Sequence, residues 1–345
     1  ARTEKTQSPS FTKNFLSTHN HPVVQNIAKA REINKAHTTF IDTILKHQHR
    51  GRIHADINPI RSDQGGTVTG RFSYSNPNLQ QIPARNKDLG PMIRSLFIPE
   101  KEHRWGCFDY SQQEPRLVVH YAATTEPICF DESVSKIVDK FKDNTVDFHQ
   151  TVADMANISR TQAKTINLGL FYGMGKAKLQ AELGLNTKQE AEELFNTYHT
   201  NVPFVRDLMN YTSKTAQTSG SIGTLLGRRC RFTKWEPNQF GMHKPMEFEE
   251  AERTYGRGRI RRAFTYKALN KLIQGSAADM TKKAMVDLYR EGIIPHIQIH
   301  DELDISVESD SQAKKIIEIM ENAVSLEVPN KVDYESGKTW GEING

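Results

Sequence analysis

The sequence predicts an α+β protein in which strands and helices occupy separate parts of the chain. Three observations carry that prediction. The stretch HIQIHDELDISV (296–307) alternates with a period of two on either side of Asp301-Glu302, as a β-hairpin does. A second hairpin is expected over 97–108, with LFIP and WGCF flanking a charged turn at Glu100–Arg104. Apolar residues recur at helical spacing elsewhere, above all over 130–210 and 268–289. With 345 residues the chain is long enough for two or three domains or one large multi-lobed one.

Composition narrows the class. A chain that is 37% apolar and 25% charged is ordinary for a soluble globular protein. The net charge of +5 fits a polyanionic partner and equally any slightly basic enzyme. Cys107, Cys129 and Cys230 are odd in number, far apart and without a CxxC pair. They argue for a reducing compartment and against a disulfide framework or structural zinc. No apolar run approaches the ~18 residues of a membrane span, so no membrane partner is expected and a cytoplasmic location is. The opening ARTEKTQSPS reads as the inside of a longer protein or as a frayed end.

In chain order, 11–49 reads as helix, with Val24, Ile27, Ile33, Phe40, Ile41 and Ile44 at helical spacing and Pro22 suited to a first turn. The stretch 69–85, TGRFSYSNPNLQQIPAR, is rich in turn formers and amides. It is either an exposed loop or a loop whose Arg71, Arg85, Asn78 and Gln80 bond a polar polymer. Asp109 ends the WGCF strand, and the helix after it is expected to start at Glu114 or Pro115. Such an acid is a capping or edge residue, or a ligand for a cation.

Within RTQAKTINLGLFYGMG, Arg160, Lys164, Leu168 and Tyr172 are each four apart and form one drifting helical stripe. Two cations, an apolar side chain and a phenol suit a ligand with phosphates at one end and a flat group at the other. A solvated basic edge has the same pattern, but Gly169, Gly173 and Gly175 weaken a helix by about 1 kcal/mol each and point to close approach or movement. His149 lies just upstream at another helix start. The segment 234–262 is charged, Gly-containing and aperiodic, and is expected to be a long basic loop. Helix 268–289 carries Asn270 and Gln274 on one face, amides that can read minor-groove acceptors. A last helix is expected over 311–326. At the hairpin, Asp301 and Glu302 both fall at the expected tip. A tight turn prefers Asn-Gly or Asp-Gly there, so two adjacent acids mark a solvated loop or a cation site.

Six motifs in order then resemble the family A DNA polymerases. TGRFSYSNPNLQQIP is similar to the family's TGRLSSxxPNLQNIP, DYSQQEPR to motif A, and RxxxKxxNxGxxYG at 160–173 to motif B; His300-Asp301-Glu302 is similar to motif C. NxxxQGxAAD at 270–279 and DFHQTVA at 147–153 also fit, and together they span residue 69 to the C-terminus.

The resemblance implies a right-hand polymerase fold: an antiparallel-sheet palm, helical fingers and a truncated thumb. The expected division is 1–57 end of thumb, 58–125 first part of palm, 126–264 fingers, and 265–345 second part of palm. A proofreading domain would lie upstream. It implies DNA-templated extension of a primer 3′-OH with dNTPs, by two Mg²⁺ ions (Mn²⁺ as a substitute) held by Asp109, Asp301 and the Tyr110 carbonyl. Glu302 has a supporting catalytic role. Arg160, Lys164 and His149 would hold the triphosphate, with Lys164 also protonating the leaving pyrophosphate. Tyr172, Gln112 and Glu114 would border the nucleotide, Glu114 closing the space a ribose 2′-OH needs. Arg71, Asn78, Gln80, Arg85, Asn270, Gln274 and His300 would track primer-template DNA. Leu168 stands where the family usually has Phe or Tyr, beside the sugar 3′ position. Tyr266 stands where many relatives are basic. A monomer is expected, with a processivity partner left unassigned. A single-subunit RNA polymerase, or a DNA-binding module with a dead palm, are the alternatives; Glu114 and Glu302 argue against the first and the intact acids against the second.

Overall fold

The computed structural model describes residues 2, 7–9, 11–12, 15–16, 19–62, 65–83, 86–142, 147–171, 174, 176–239, 241 and 243–343. They divide into two compact units: Ala1–Asn58 with Ser73–Trp105 and Ser336–Gly345, and Pro59–Phe72 with Gly106–Glu335.

The first unit holds helix Pro22–Lys35, a wider π-turned stretch Ala36–Ile41 and helix Asp42–His47. Pro22 sits in the first turn, and the His21 ring caps it by accepting the Val23 N–H at 3.2 Å. The expected LFIP strand does not form. The Phe97 carbonyl accepts instead from the Trp340 N–H at 3.1 Å, and Leu96 and Ile98 are exposed. Alternation there marked a single anchor: Phe97 meets Trp340 edge-on at 5.4 Å, while Trp105 stacks on the same indole at 5.9 Å.

A four-stranded sheet, most of it in the second unit, has the order Ile297–Ile299, Glu302–Val307, Arg104–Tyr110, Val332–Gly337. Alternation gives this sheet two unlike faces. Phe108, Tyr110, Leu303, Ile305 and Val307 enter the main core, and the Tyr110 hydroxyl donates to the Met320 carbonyl at 2.6 Å. Cys107, Asp109 and Asp304 alternate with them. Helix Ala268–Arg290 buries Leu269, Ile273, Ala277, Met280, Ala284 and Leu288 at spacings of three and four. Its Gly275 is needed for close approach, because a Cβ there would lie 2.6 Å from Thr224 Cγ2. Five further helices run from Glu132–Lys142 through Phe148–Ala156, Arg160–Phe171, Lys176–Leu183 and Lys188–Asn201, before Pro203–Ser219.

The segment 234–262 is not the loop its composition suggests. Strand Trp235–Pro237 pairs antiparallel with Ile260–Arg262, and helix Phe248–Tyr255 lies between them. Trp235 packs edge-on against Phe248 at 5.0 Å, and the Arg262 guanidinium covers its ring at 4.6 Å. One indole thus organises a small folded arm whose elements are too short for periodicity to show. Among the described residues, no helix is long and apolar enough to cross a membrane.

Candidate active site

The hairpin differs from its expected form in one informative way. Ile299 pairs directly with Glu302, so the loop is the two residues His300-Asp301, and Glu302 opens the second strand rather than sharing the tip. A two-residue hairpin needs positive φ, and His300 supplies it at φ 56°. Histidine is among the residues that enter this region more readily than branched or bulky ones. The Gln298 amide donates to the His300 carbonyl at 2.6 Å and holds the loop from beneath.

This leaves Asp301 alone at the turn, and the sheet brings Asp109 to it. The Tyr110 N–H donates to the Asp301 carbonyl at 3.3 Å, tying the residue after Asp109 to the hairpin tip. The two carboxyl groups are poorly solvated and repel one another. Burial first, then the negative charge of Asp301, with Asp333 and Asp304 adding to it, push Asp109 up to about 7. Burial also raises Asp301, opposed by the nearby Arg71 guanidinium. Two hard oxygen donors held together at an electrostatic cost fit a divalent cation, which would turn repulsion into attraction.

Behind them, Cys107, Glu302 and Asp304 place their ligand atoms within 4.8 Å of one another. The Cys107 thiol donates to Asp304 Oδ1 at 2.7 Å, so these two brace the sheet under the acids. Glu302 therefore stands with the supporting group and not at the tip.

The chain leaves Asp109 through Gln112, which takes a left-handed φ of 53° and lets helix Gln113–Thr124 start at once. The Gln112 Oε1 accepts the Phe148 N–H at 2.7 Å, so this expected nucleotide neighbour caps a second helix. One residue on, Gln113 is buried and donates to Thr281 Oγ1 at 3.2 Å, locking the helix to Ala268–Arg290. Glu114 accepts from Arg71 at 2.8 Å, both side chains being largely buried. Arg71, expected along DNA, thus fixes the orientation of Glu114, and its positive charge acts to lower the pKa of both Asp301 and His300.

Helices Phe148–Ala156 and Arg160–Phe171 bring the expected phosphate ligands together. Asp147 caps the first by accepting from the His149 and Gln150 N–H groups, and takes Arg160 side-on at 2.7 and 2.6 Å. Burial lowers the His149 pKa, and the positive charges of Lys164 and Arg160 add to that. The same ring is bonded by Asn167 at 3.1 Å, and Asn167 in turn accepts the Tyr198 hydroxyl. Lys164 is exposed, and its charge acts on this ring. Leu168 belongs to the second helix. Tyr172 lies outside the described residues, as does Arg85.

On helix Ala268–Arg290, Asn270 and Gln274 are partly exposed on one face, and Asn270 Nδ2 has no hydrogen-bond partner. Asn78 and Gln80 belong to the other unit, where the Asn78 side chain accepts the Gln80 N–H at 3.2 Å and starts the turn Leu79–Gln81.

Sequence reasoning passed over Arg228. Its guanidinium pairs with Asp279 at 3.2 Å and donates to the carbonyls of Thr69 at 2.7 Å and Gly275 at 2.9 Å. It joins the segment before Arg71 to the helix bearing Asn270. The only sequence signal was a cluster of three arginines beside a glycine turn, without any pointer to their partners.

A sequence model of DNA polymerase family A matches residues 1–342. The chain is 35% identical to the DNA-directed DNA polymerase of Pseudomonas phage M6, over 98% of this chain and 54% of that protein. It is 34% identical to the thermostable DNA polymerase I of Thermus filiformis, over 99% of this chain and 39% of that one. The chain thus spans about half the length, or less, of the curated relatives it matches. Its fold matches the POL domain of Pol1 from M. smegmatis, solved with DNA primer-template and dNTP, at a TM-score of 0.77 and 26% identity, covering 99% of this chain and 58% of that one. With two carboxyl groups brought together on a four-stranded sheet and a match across almost its entire length, the chain belongs to DNA polymerase family A and has the right-hand polymerase fold.

Proposed function

We propose that the chain extends a primer 3′-OH along a DNA template with dNTPs, releasing pyrophosphate. The observation that carries this is the pairing of Asp109 with Asp301 at a strand end and a hairpin tip, where the carboxyl groups share one buried place. The two carboxylates and the Tyr110 carbonyl hold divalent cations, Mg²⁺ by preference for oxygen donors and Mn²⁺ as a substitute. When bound, such ions activate the hydroxyl and stabilise the charge of the leaving group. Everything else falls to the protein. Arg160 leaves Asp147 to clamp phosphate oxygens. Lys164 donates a proton to the departing pyrophosphate. Glu114, held by Arg71, occupies the space of a ribose 2′-OH, which favours deoxynucleotides over the RNA polymerase reading. Tyr172 and Gln112 border the nucleotide, and Asn270, Gln274, His300, Asn78, Gln80 and Arg85 follow the duplex. Residues 58–125 and 265–345 make the palm, 126–264 the fingers and 1–57 the end of the thumb.

Primer extension on a primed single-stranded template tests the reading. Mg²⁺-dependent incorporation of dNTPs, far above rNTPs, is expected. Failure of the wild-type chain to extend, or preference for rNTPs, overturns it. Lys164→Ala is expected to lose about 10²-fold in kcat, the scale of a general acid, whereas Arg160→Ala acts mainly on the KM for dNTP.

Leu168 offers a finer test. A smaller, non-aromatic side chain beside the sugar 3′ position changes discrimination against 3′-deoxy terminators. Dideoxynucleotide incorporation by wild type, Leu168→Phe and Leu168→Tyr should differ, and equal selectivity in all three would remove this role.

A further inference from the structure

His149 has one ring nitrogen bonded inside the protein and one left open. Its Nδ1 faces Asn167 Nδ2 at 3.1 Å, whereas Nε2 has no hydrogen-bond partner among the described residues. The main chain around it is pinned from two sides. Asp147 Oδ1 accepts the His149 N–H at 2.9 Å, and Gln112 Oε1 accepts the N–H of the preceding Phe148 at 2.7 Å. What the ring can do for a ligand then depends on which nitrogen carries the proton, and the bond made by the other nitrogen sets that.

That bond is fixed from a third helix. Tyr198, on helix Lys188–Asn201, is fully buried, and its hydroxyl donates to Asn167 Oδ1 at 2.5 Å. Asn167, on helix Arg160–Phe171, is fully buried as well. Burial pushes the Tyr198 hydroxyl well above its ordinary range, so the phenol keeps its proton. That proton has no other acceptor among the described residues. Turning the Asn167 amide over would set its NH2 group against the phenol and strand the phenolic proton in a dry place, which is costly. The amide therefore keeps Oδ1 towards Tyr198 and presents its N–H to His149. An N–H donor needs a lone pair opposite it, so Nδ1 is the acceptor and the proton sits on Nε2. A doubly protonated ring would put N–H against N–H. Burial, and the charges of Lys164 and Arg160 against the opposing pull of Asp147, favour the neutral ring too.

We infer that Tyr198 and Asn167 are positioning residues that hold His149 as the neutral Nε2–H tautomer, so that it offers a hydrogen-bond donor to a triphosphate oxygen of the incoming dNTP. The inference rests on the proposed role of His149 as a phosphate ligand. The other tautomer would turn a lone pair towards an anionic oxygen and repel it. A neutral donor contributes direction, where Arg160 and Lys164 contribute charge. Neither Tyr198 nor Asn167 touches the nucleotide; both act through the imidazole.

The test reads the tautomer and the nucleotide affinity separately, in the full chain. Two-dimensional ¹H–¹⁵N spectra of histidine-labelled protein without nucleotide should show His149 protonated on Nε2 and bare on Nδ1, its signals being assigned by their loss in His149→Ala. Tyr198→Phe keeps the ring in the core and removes only the hydroxyl. The amide is then free to turn, and the His149 signals should move to values averaged between the two tautomers. In steady-state primer extension the same variant should raise the KM for dNTP about fivefold, the scale of one hydrogen bond, with kcat little changed. That rise should vanish in the His149→Ala background, because the tyrosine acts only through the ring. A merely structural role would raise KM equally in both backgrounds and leave the tautomer as it was. A wild-type His149 protonated on Nδ1, unchanged His149 signals in Tyr198→Phe, or an equal rise in KM in both backgrounds overturns the inference. The spectra keep it apart from the reading it rests on: if His149→Ala extends primers with the wild-type KM, the phosphate role of His149 fails, and the spectra still decide the tautomer.

Discussion

Asp109→Asn is expected to abolish nucleotide addition, by at least about 10³-fold in kcat, and at the same time to stabilise the cation-free protein. The first effect follows from removing a carboxylate on which charge stabilisation in the reaction depends. The second follows from the electrostatics of the site. Burial and Asp301 push Asp109 from 3.8 up to about 7 in the folded chain. A raised carboxyl favours the protonated folded state, so its contribution to stability is fully present below its unfolded value near 4. That contribution is lost as pH rises through about 7. In EDTA the melting temperature of the wild type should therefore fall between pH 5 and pH 8, beyond the change seen in Asp109→Asn. The neutral amide removes the mutual repulsion at little steric cost, and at pH 8 the variant should melt a few degrees higher. Adding Mg²⁺ should recover stability in the wild type and do little for the variant. Calorimetry in EDTA and in Mg²⁺ at the two pH values reads all of this. Equal melting temperatures at pH 8 in EDTA, or retained synthesis by Asp109→Asn, would refute the assignment of this residue.

Loss of the Arg228 clamp should be the most damaging change outside the acids. Its guanidinium holds Asp279, which is 7% exposed, and two backbone carbonyls from separate segments. Removing one member of a buried pair costs about 3–5 kcal/mol where both groups are dry. The Arg228 side chain is 36% exposed, so solvent screens part of that and about 2–3 kcal/mol is the reasonable expectation. Arg228→Ala should lower the melting temperature by roughly 5 °C on the usual scaling for large domains. It should also weaken primer-template binding, because Thr69 and the helix carrying Asn270 lose their tie. Arg228→Lys should rescue little, since one ammonium cannot span a carboxylate and two carbonyls in the planar geometry of a guanidinium. Arg228→Ala combined with Asp279→Asn should recover part of the loss by removing the stranded charge. A shift below 1 °C in Arg228→Ala would show that the clamp contributes nothing.

The elements differ in how well they could be read ahead of the structure. Helix Ala268–Arg290 and the hairpin at 297–307 announced themselves, because each carries enough turns or alternations for one buried face to be visible. The folded arm at 235–262 did not. Its strands are three residues long and its helix eight, so nothing periodic survives in its composition. The first arm of the expected hairpin at 97–108 misled for a related reason. Four apolar residues in a row suit a strand, but Phe97 answers to Trp340, some 240 positions away in the chain.

At the site, the sequence by itself determined which chemistry is available. Asp109 at the end of a strand, Asp301 at a hairpin tip, and Arg160 with Lys164 on one helical stripe suit cations, phosphates and a hard-metal site. Those features are local, set by residue type and spacing. Only the tertiary structure decided which groups meet and in what state. It separated Glu302 from the tip by a two-residue loop, turned Arg71 towards Glu114, gave Gln112 a helix to cap, and raised Asp109 by burying it beside Asp301. The last three depend on partners far away in the chain or on desolvation, a property of the packed protein that no single stretch of residues contains.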